Sequence, residues 1–393
     1  MARHIKVGID IGTYQVKVAV IESVIDKGRQ VPRVLGVGFS ESKGMRHGYI
    51  INPADITRSV SAAVLQAEKA SGIRIKKAYV SMGGMGLESV VAHGSTVISR
   101  ADSEVSNLDM EKAIRASELA VPKTAFANRK LLHTIPIEFR VDGSKVLGRP
   151  QGIKGSRLEV KTLFVTGLDH HIRDTVSALN EAGIDVEDMI AAPFAASLVT
   201  LTKVQKMAGC VLANIGAETV SIVVYENDLP TSLEVFEIGS NDITNDIALG
   251  LKIPLEEAED IKIGNAGGSN YPRKKLEEII EARLSDIFEL IEAHLKKIGR
   301  AGLLPAGIII TGGGSGLESL QDFAKSSLRL PSKIASLNLN ASGKTPIRDA
   351  TWAVAYGLCT LGFSAGEEDA GLGGNIFSNN KKRFFDLFKS FLP

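Results

Sequence analysis

Asp10, Gly12 and Thr13 sit in a turn between two apolar stretches, VGIDIGTYQVKVAVIE at 7–22. Asn214, Gly216 and Thr219 sit likewise in VLANIGAETVSIVVYE at 211–226. Laying Asp10 over Asn214 also lays Ile11 over Ile215, Gly12 over Gly216, Val16 over Val220, Val18 over Ile222, Val20 over Val224 and Glu22 over Glu226. A glycine in such a turn lets backbone N–H groups approach a ligand, and successive N–H groups make a concave anion site. Two facing turns would hold a polyphosphate between two lobes. A third glycine cluster, Gly312-Gly313-Gly314, follows the apolar run GIIIT and precedes a helix expected from about Leu317. Strand, glycines and helix start give backbone another approach to a nucleotide. An ordinary hairpin explains one such turn; a matched pair with a third cluster points to a duplicated unit.

The elements that must position these turns follow from periodicity. Val16, Val18 and Val20 fall on one face of a strand. A third strand is expected over 33–39, then a helix capped by Asn52 with Pro53 at its first position. Ile56, Val60, Ala63, Val64 and Ala67 give that helix one apolar stripe. A strand over 77–82 ends in Gly83-Gly84. This β-β-β-α-β order describes half of an α/β domain. From about residue 88 the pattern changes to strand, short helix and a strand whose Pro136 favours an edge, which reads as a small insertion. The strand at 160–167 is expected to return to the first lobe. His170 and His171 are adjacent and share no helix face, so they make no metal site. A helix over 193–203 bridges to the second half. There the repeated hairpin leads to helices over 242–249, 255–263 and 273–297, and a helix of small residues over 349–363 closes the body.

The 393 residues exceed what one core usually holds. With 44% hydrophobic residues and net charge +1, the chain offers no electrostatic case for nucleic acid. Cys210 and Cys359 are the only cysteines, which suits a reducing cytosol. No apolar run approaches the roughly 20 residues that span a bilayer, so any membrane contact is expected to be peripheral. Residues 364–380 read as a flexible linker. The last segment, KKRFFDLFKSFLP, places Phe384, Leu387, Phe388 and Phe391 on one side of a helix, flanked by Phe385 and Leu392. Lys381, Lys382, Arg383 and Lys389 give it a positive edge. Such a helix lies in an anionic membrane interface, each basic residue adding about 1 kcal/mol. The alternative is docking on its own body or in a partner's groove.

The paired hairpins and third glycine cluster resemble the actin-like ATPase superfamily. Within it the whole chain resembles the FtsA family of bacterial cell-division proteins. The resemblance is carried by DIGTYQVKV at Asp10, KGMRHGYI at Lys43, HTIPIEF at His133, GIKGSRLEVKTLFVTG at Gly152, GSNDITNDIA at Gly239, EEAEDIKI at Glu256, ITGGGSGL at Ile310 and the tethered tail. It implies an α/β, actin-like (ribonuclease H-like) duplicated two-lobed fold with a small inserted α+β domain in the first lobe. The first lobe would comprise 1–86 and 161–192 with part of the helix 349–363, and the insertion 87–160. The second lobe would comprise 193–240 and 301–348, with an upper subdomain at 241–300, a linker at 364–380 and a membrane-targeting helix at 381–393.

The resemblance also implies ATP between the lobes. Gly12, Thr13, Tyr14 and Lys17 would meet its phosphates from one side, and Asn214, Gly216, Ala217, Glu218 and Thr219 from the other. Gly312, Gly313 and Gly314 would approach the α-phosphate and adenosine, Glu259 and Lys262 the ribose and base. Asp10 would hold Mg²⁺ through water, an ion that keeps several waters. Most of the superfamily carries Asp where this chain has Asn214, so ATP binding with at most weak hydrolysis is expected, and no catalytic residue is assigned. The implied partners are further copies in filaments, anionic lipids at the inner face of the cytoplasmic membrane at midcell, later division proteins, and the C-terminal peptide of FtsZ, met by Lys274, Lys275 and Arg283. A pilus-assembly actin homologue and an actin-fold small-molecule kinase are the alternatives.

Overall fold

The computed structural model describes residues 4–26, 29–265, 271–337, 347 and 349–369. The membrane-helix reading at 381–393, and the linker reading from 370 onward, lie outside the described residues.

The chain begins with a three-strand meander, β1 (His4–Ile11), β2 (Gln15–Asp26) and β3 (Arg29–Glu41). A two-residue hairpin follows, β4 (Met45–Arg46) with β5 (Tyr49–Ile50), then α1 (Pro53–Ser71) and β6 (Lys77–Met82). Helix α1 starts as its sequence dictates. The Asn52 side chain accepts from the Asp55 N–H, Pro53 opens the first turn, and Gly72 at φ +69° ends it. The insertion comprises β7 (Leu87–Val97), α2 (Asn107–Ala120), β8 (Arg129–Val141), β9 (Ser144–Val146) and β10 (Arg157–Leu168). Then come α3 (Asp169–Glu181), β11 (Asp185–Ala191), α4 (Ala192–Thr200) and α5 (Lys203–Ala208). The second half runs β12 (Cys210–Ile215), β13 (Val220–Glu226), β14 (Leu229–Phe236), α6 (Ser240–Leu251), α7 (Leu255–Lys262), α8 (Arg273–Lys297), β15 (Ile308–Thr311), α9 (Leu320–Leu328), β16 (Ser332–Ile334) and α10 (Ala353–Asp369).

The duplication holds at the level of topology. The first sheet has the order β3-β2-β1-β6-β11 and the second β14-β13-β12-β15-β16. In each, the first three strands are antiparallel and the last three parallel. Alternation along the strands sorts their side chains into layers. Val16, Val18 and Val20 face α1 and α3, whereas Ala19 and Ile21 face the opposite way. In the second lobe Val220, Ile222 and Val224 face α6 to α9, whereas Val223 and Tyr225 face inward. Between the two inward faces lie α4 and α10, and one continuous apolar cluster joins both sheets through them.

Those two helices are built for contact at backbone distance. A Cβ on Gly357 of α10 would lie 1.9 Å from the Ala195 carbonyl oxygen of α4. One on Gly8 of β1 would lie 2.2 Å from the Ala355 carbonyl oxygen. The small residues of this segment let α10 sink between the sheets. Helix α10 continues to Asp369, beyond the Phe363 end expected from the sequence and into the stretch read as linker.

The insertion departs from its expected boundary. Strand β10 pairs along its whole length with β7, from Arg157↔Val97 to Gly167↔Leu87, and with β8 on its other side. Residues 161–168 therefore belong to the insertion's sheet, and the first lobe resumes at α3. A long buried strand carries no mark of which sheet it joins, which is why the sequence reading assigns 161–168 to the first lobe. Pro136 sits beside a register shift and beyond the reach of β9, which pairs only with 139–141, so the missing donor costs no ladder bond there.

Two polar staples tie elements together. His294 of α8 bonds Ser232 through Nε2 at 2.7 Å and approaches Glu234 through Nδ1 at 3.1 Å. Although a serine, a histidine and an acid in this order suggest a charge relay, Ser232 and His294 are both buried and serve to hold α8 on β14. His133, fully buried on β8, accepts from the Ala191 N–H at 2.9 Å. Burial pushes its imidazole down to about 3.

A neutral buried histidine binds its proton only after unfolding, so its stabilisation is complete above about pH 6.5 and is lost as pH falls towards 3. Denaturant titrations should show His133 removing about 2 kcal/mol between pH 7 and pH 5, a slope that His133→Gln should flatten. Gly357→Ala should destabilise the fold by about 2 kcal/mol or more in urea melts, since backbone must move to admit the methyl group.

Candidate functional site

The two glycine turns are superimposable in their bonding. The Gly12 N–H donates to the Gln15 carbonyl at 3.1 Å, and the Gly216 N–H to the Thr219 carbonyl at 2.9 Å. A Cβ on Gly12 or Gly216 would meet that same carbonyl at 3.0 or 2.9 Å. Both turns close the C-terminal ends of central strands, and parallel pairing places Ser81 beside Asp10 and Thr311 beside Asn214. Asp10 lies on the inward face of β1, because Val7, Ile9 and Ile11 face the outer layer. Asn214 lies inward on β12 for the same reason. The two turns thus border one cleft, with the α4–α10 layer as its base.

The charged cross-strand pair lies on the first-lobe side. Asp10 is paired across the hairpin with Lys17. Ser81 Oγ donates to Asp10 Oδ1 at 2.7 Å and accepts from the Ile11 N–H at 3.2 Å, which fixes the carboxylate. Burial raises the Asp10 carboxyl, while Ser81 and Lys17 pull it down. A hydrated divalent cation beside Asp10 would favour its ionised form, so the donor set fits Mg²⁺. Lys17 Nζ donates to the Thr351 carbonyl at 2.8 Å, and burial lowers its ammonium against the pull of Asp10 and Asp349. Thr13 is half-buried in the turn, and Tyr14, at 65% exposure, stands in solvent.

On the second-lobe side, Asn214 pairs with Ser221, and the Gly216–Thr219 turn is clamped by the start of α6. The Ser240 and Asn241 N–H groups donate to the Gly216 and Ala217 carbonyls at 2.9 and 2.7 Å. Gly239 lies so close that its Cβ would meet the Ala217 carbonyl oxygen at 2.4 Å. Gly312, at φ +95°, packs on Asn214 Oδ1 and the Ile215 carbonyl. A Cβ on Gly314 would strike Ile215, but one on Gly313 would meet nothing within 4 Å. Gly313 is therefore where backbone is open to a ligand. These glycines enter a 3₁₀ turn, Gly313–Gly316, and α9 begins only at Leu320, so the expected helix N-terminus does not stand directly behind them.

Other expected residues are already engaged. Glu218 reaches across to the first lobe, where its Oε2 accepts from the His47 N–H at 2.5 Å. Glu259 and Lys262 pair at 2.6 Å. Lys262 also donates to Thr244 Oγ1 at 2.8 Å and to the Ser240 carbonyl at 3.2 Å, so its buried ammonium pins α7 to α6. Glu259 keeps the more exposed end of this pair. On α8, Arg283 bonds Asp246 at 2.7 Å and Asp286 at 3.2 Å, and Lys275 donates to the Gly250 carbonyl at 2.5 Å. Lys274 and Lys275 are both exposed, Lys274 4.0 Å from Glu278, whereas Arg283 is half-buried. Sequence reasoning missed Ser81, His47 and Thr351. A serine one residue before the end of β6, at the position that matches Thr311, was the one available signal for Ser81.

Comparison with known proteins agrees with this architecture. The family model described as cell division protein FtsA matches residues 211–357, and that described as the SHS2 domain inserted in FtsA matches 84–166. The chain is 29% identical over 379 residues to the cell division protein FtsA of Pseudomonas aeruginosa, covering 91% of this chain and 88% of that protein. It is 27% identical over 389 residues to that of Escherichia coli K12, covering 92% and 90%. Among solved structures it is similar to the PilM-PilN type IV pilus biogenesis complex, with TM-score 0.66, 18% identity, and 91% and 98% of the two chains covered. It is also similar to MreB5 of Spiroplasma citri bound to ADP, with TM-score 0.51, 13% identity, and 94% and 99% covered. Both structures place the fold among actin-like proteins. The FtsA of Borreliella burgdorferi is 30% identical over 382 residues, 91% of each protein, and with the two family matches this shows that the chain belongs to the FtsA family of cell division proteins.

Proposed function

We propose that this cell-division protein binds ATP with Mg²⁺ in the cleft between its lobes, assembles with further copies, and tethers FtsZ to the inner face of the cytoplasmic membrane at midcell. The observation that carries the nucleotide part is the pair of identically bonded glycine turns, with Asp10 fixed by Ser81 on one side and the open backbone at Gly313 on the other. The MreB5 structures of Spiroplasma citri contain ADP and AMPPNP on the same fold. In this chain Gly12, Thr13, Tyr14 and Lys17 would face the phosphates from the first lobe, and Gly216, Ala217 and Thr219 from the second. Glu259 would take a ribose hydroxyl at its exposed end. Asn214 is a neutral partner for hydrated Mg²⁺, which accords with slow turnover.

The tether part rests on composition. No helix among the described residues is long and apolar enough to cross a membrane. The segment 381–393 carries the aromatic face and cationic edge of an interfacial helix. FtsZ's acidic C-terminal peptide would meet the exposed Lys274 and Lys275 first, because Arg283 is paired with Asp246 and Asp286. The kinase alternative is weakened by the first lobe itself. The counterpart of the Gly312–Gly314 backbone is Met82-Gly83-Gly84, and there a Cβ on Gly84 would lie 2.6 Å from Gly48 Cα of the β4–β5 hairpin. The hairpin thus packs against the first lobe's counterpart of that backbone.

Three measurements check this reading. The full chain should co-sediment with anionic liposomes and carry an FtsZ C-terminal peptide with it; removal of 381–393 should leave it in the supernatant, and retention on the lipid would refute the anchor. Gly313→Ala should keep the wild-type melting temperature yet weaken ATP binding about tenfold or more, as expected when backbone donors lose their approach. Asn214→Asp should raise turnover or its Mg²⁺ dependence; an unchanged, already rapid wild-type rate would oppose the account of weak hydrolysis.

A further inference from the structure

The turn at 349–352 is held by both lobes at the base of the cleft. From the first lobe, Lys17 Nζ donates to the Thr351 carbonyl at 2.8 Å and lies 5.7 Å from the centre of the Trp352 ring. From the second, Thr311 Oγ1 donates to the Ala350 carbonyl at 3.0 Å. Thr311 is the residue before Gly312, and Lys17 is the cross-strand partner of Asp10, so both anchors adjoin the proposed phosphate turns. Asp349 caps the turn by accepting from the Thr351 N–H at 2.9 Å, and Phe39 of β3 stands edge-on to Trp352 at 6.5 Å. The turn passes directly into α10, the helix that leads towards the C-terminal tail.

Lys17 is the switchable contact in this arrangement. Its ammonium has three donors and holds a neutral carbonyl, and a phosphate oxygen offers an acceptor of opposite charge, which adds Coulomb attraction to the hydrogen bond. We propose that Lys17 exchanges the Thr351 carbonyl for a phosphate oxygen when a nucleotide enters the cleft, and that the released 349–352 turn passes this occupancy into α10. The inference rests on the nucleotide reading above and adds the route by which the tail side of the molecule senses the cleft. Thr311 keeps its hold on Ala350 throughout, so the turn pivots about the second lobe instead of detaching.

Trp352 is the one tryptophan in the chain and reports on its own turn. The experiment follows Trp352 emission and amide exchange at 353–363 in the full chain during titration with Mg²⁺-ATP, while equilibrium dialysis with labelled ATP measures binding separately. Emission should change along the same curve as binding, with faster exchange in the first turns of α10. Lys17→Met should bind ATP about tenfold or more weakly, and at saturating ATP should show no emission change. Asp349→Ala removes the cap and with it the Asp349 attraction on the Lys17 ammonium while keeping the Lys17 side chain, so it loosens the turn and should reproduce the ATP-induced emission and exchange with no ATP added. That variant carries the test should Lys17→Met melt well below wild type. ATP that binds by dialysis but leaves emission and exchange unchanged would overturn the relay and spare the nucleotide reading. Absence of binding by dialysis would overturn both.

Discussion

The cleft depends on how closely α4 and α10 pack between the two sheets. Two sheets covered only on their outer faces would leave Ala19, Ile21, Tyr79, Leu212, Val223 and Tyr225 in water. The helices cover both inward faces at once, and they fit because Gly357 lies on the Ala195 carbonyl and Gly8 on the Ala355 carbonyl. Any side chain at either glycine would drive the layers apart and widen the distance between the turns at Gly12 and Gly216. The spacing of a polar site is set here by an apolar layer beneath it, because close packing tolerates little change in volume.

Duplication supplied two turns of one shape, but the charges were distributed unequally. The first turn carries the cross-strand pair Asp10–Lys17, and the second carries Asn214–Ser221 at the same register. Asp10 tolerates its burial because Ser81 donates to it and Lys17 lies opposite. An aspartate at 214 would have Ser221 opposite it instead of a cation, with its neighbour Thr311 already donating to Ala350. Burying an uncompensated carboxylate is costly, so the neutral amide is consistent with its surroundings. The departure at Asn214 thus matches the neutral Ser221 opposite it.

Much of this was legible in the sequence. The matched hairpins carried the duplication because period-two valines and turn glycines are local signals, and the sheet orders bear that out. The N-cap at Asn52 and the apolar stripe of α1 were readable for the same reason. What was not legible depends on contacts distant along the chain. Strand β10 joined the insertion because β7 and β8 flank it, a choice no window of residues encodes. Lys262 looked free for a ribose on its helix, but Thr244 and Ser240 of the neighbouring helix take its donors. Arg283 looked free for an acidic peptide, but Asp246 lies 37 positions away in sequence and 2.7 Å away in space.

The mouth of the cleft is held by weaker means than its base. Glu218 accepts from the His47 N–H, and His47 Nε2 stands 3.4 Å from Glu237. Ser89 of β7 donates to the Leu233 carbonyl and accepts from the Leu233 N–H, so one side chain stands in for a strand neighbour of β14. Each Ser89 hydrogen bond contributes about 1 kcal/mol net, and the bond to the Glu218 carboxylate about 1.5–3 kcal/mol, since water replaces them when they break. The apolar layer at the base has no comparable substitute in water.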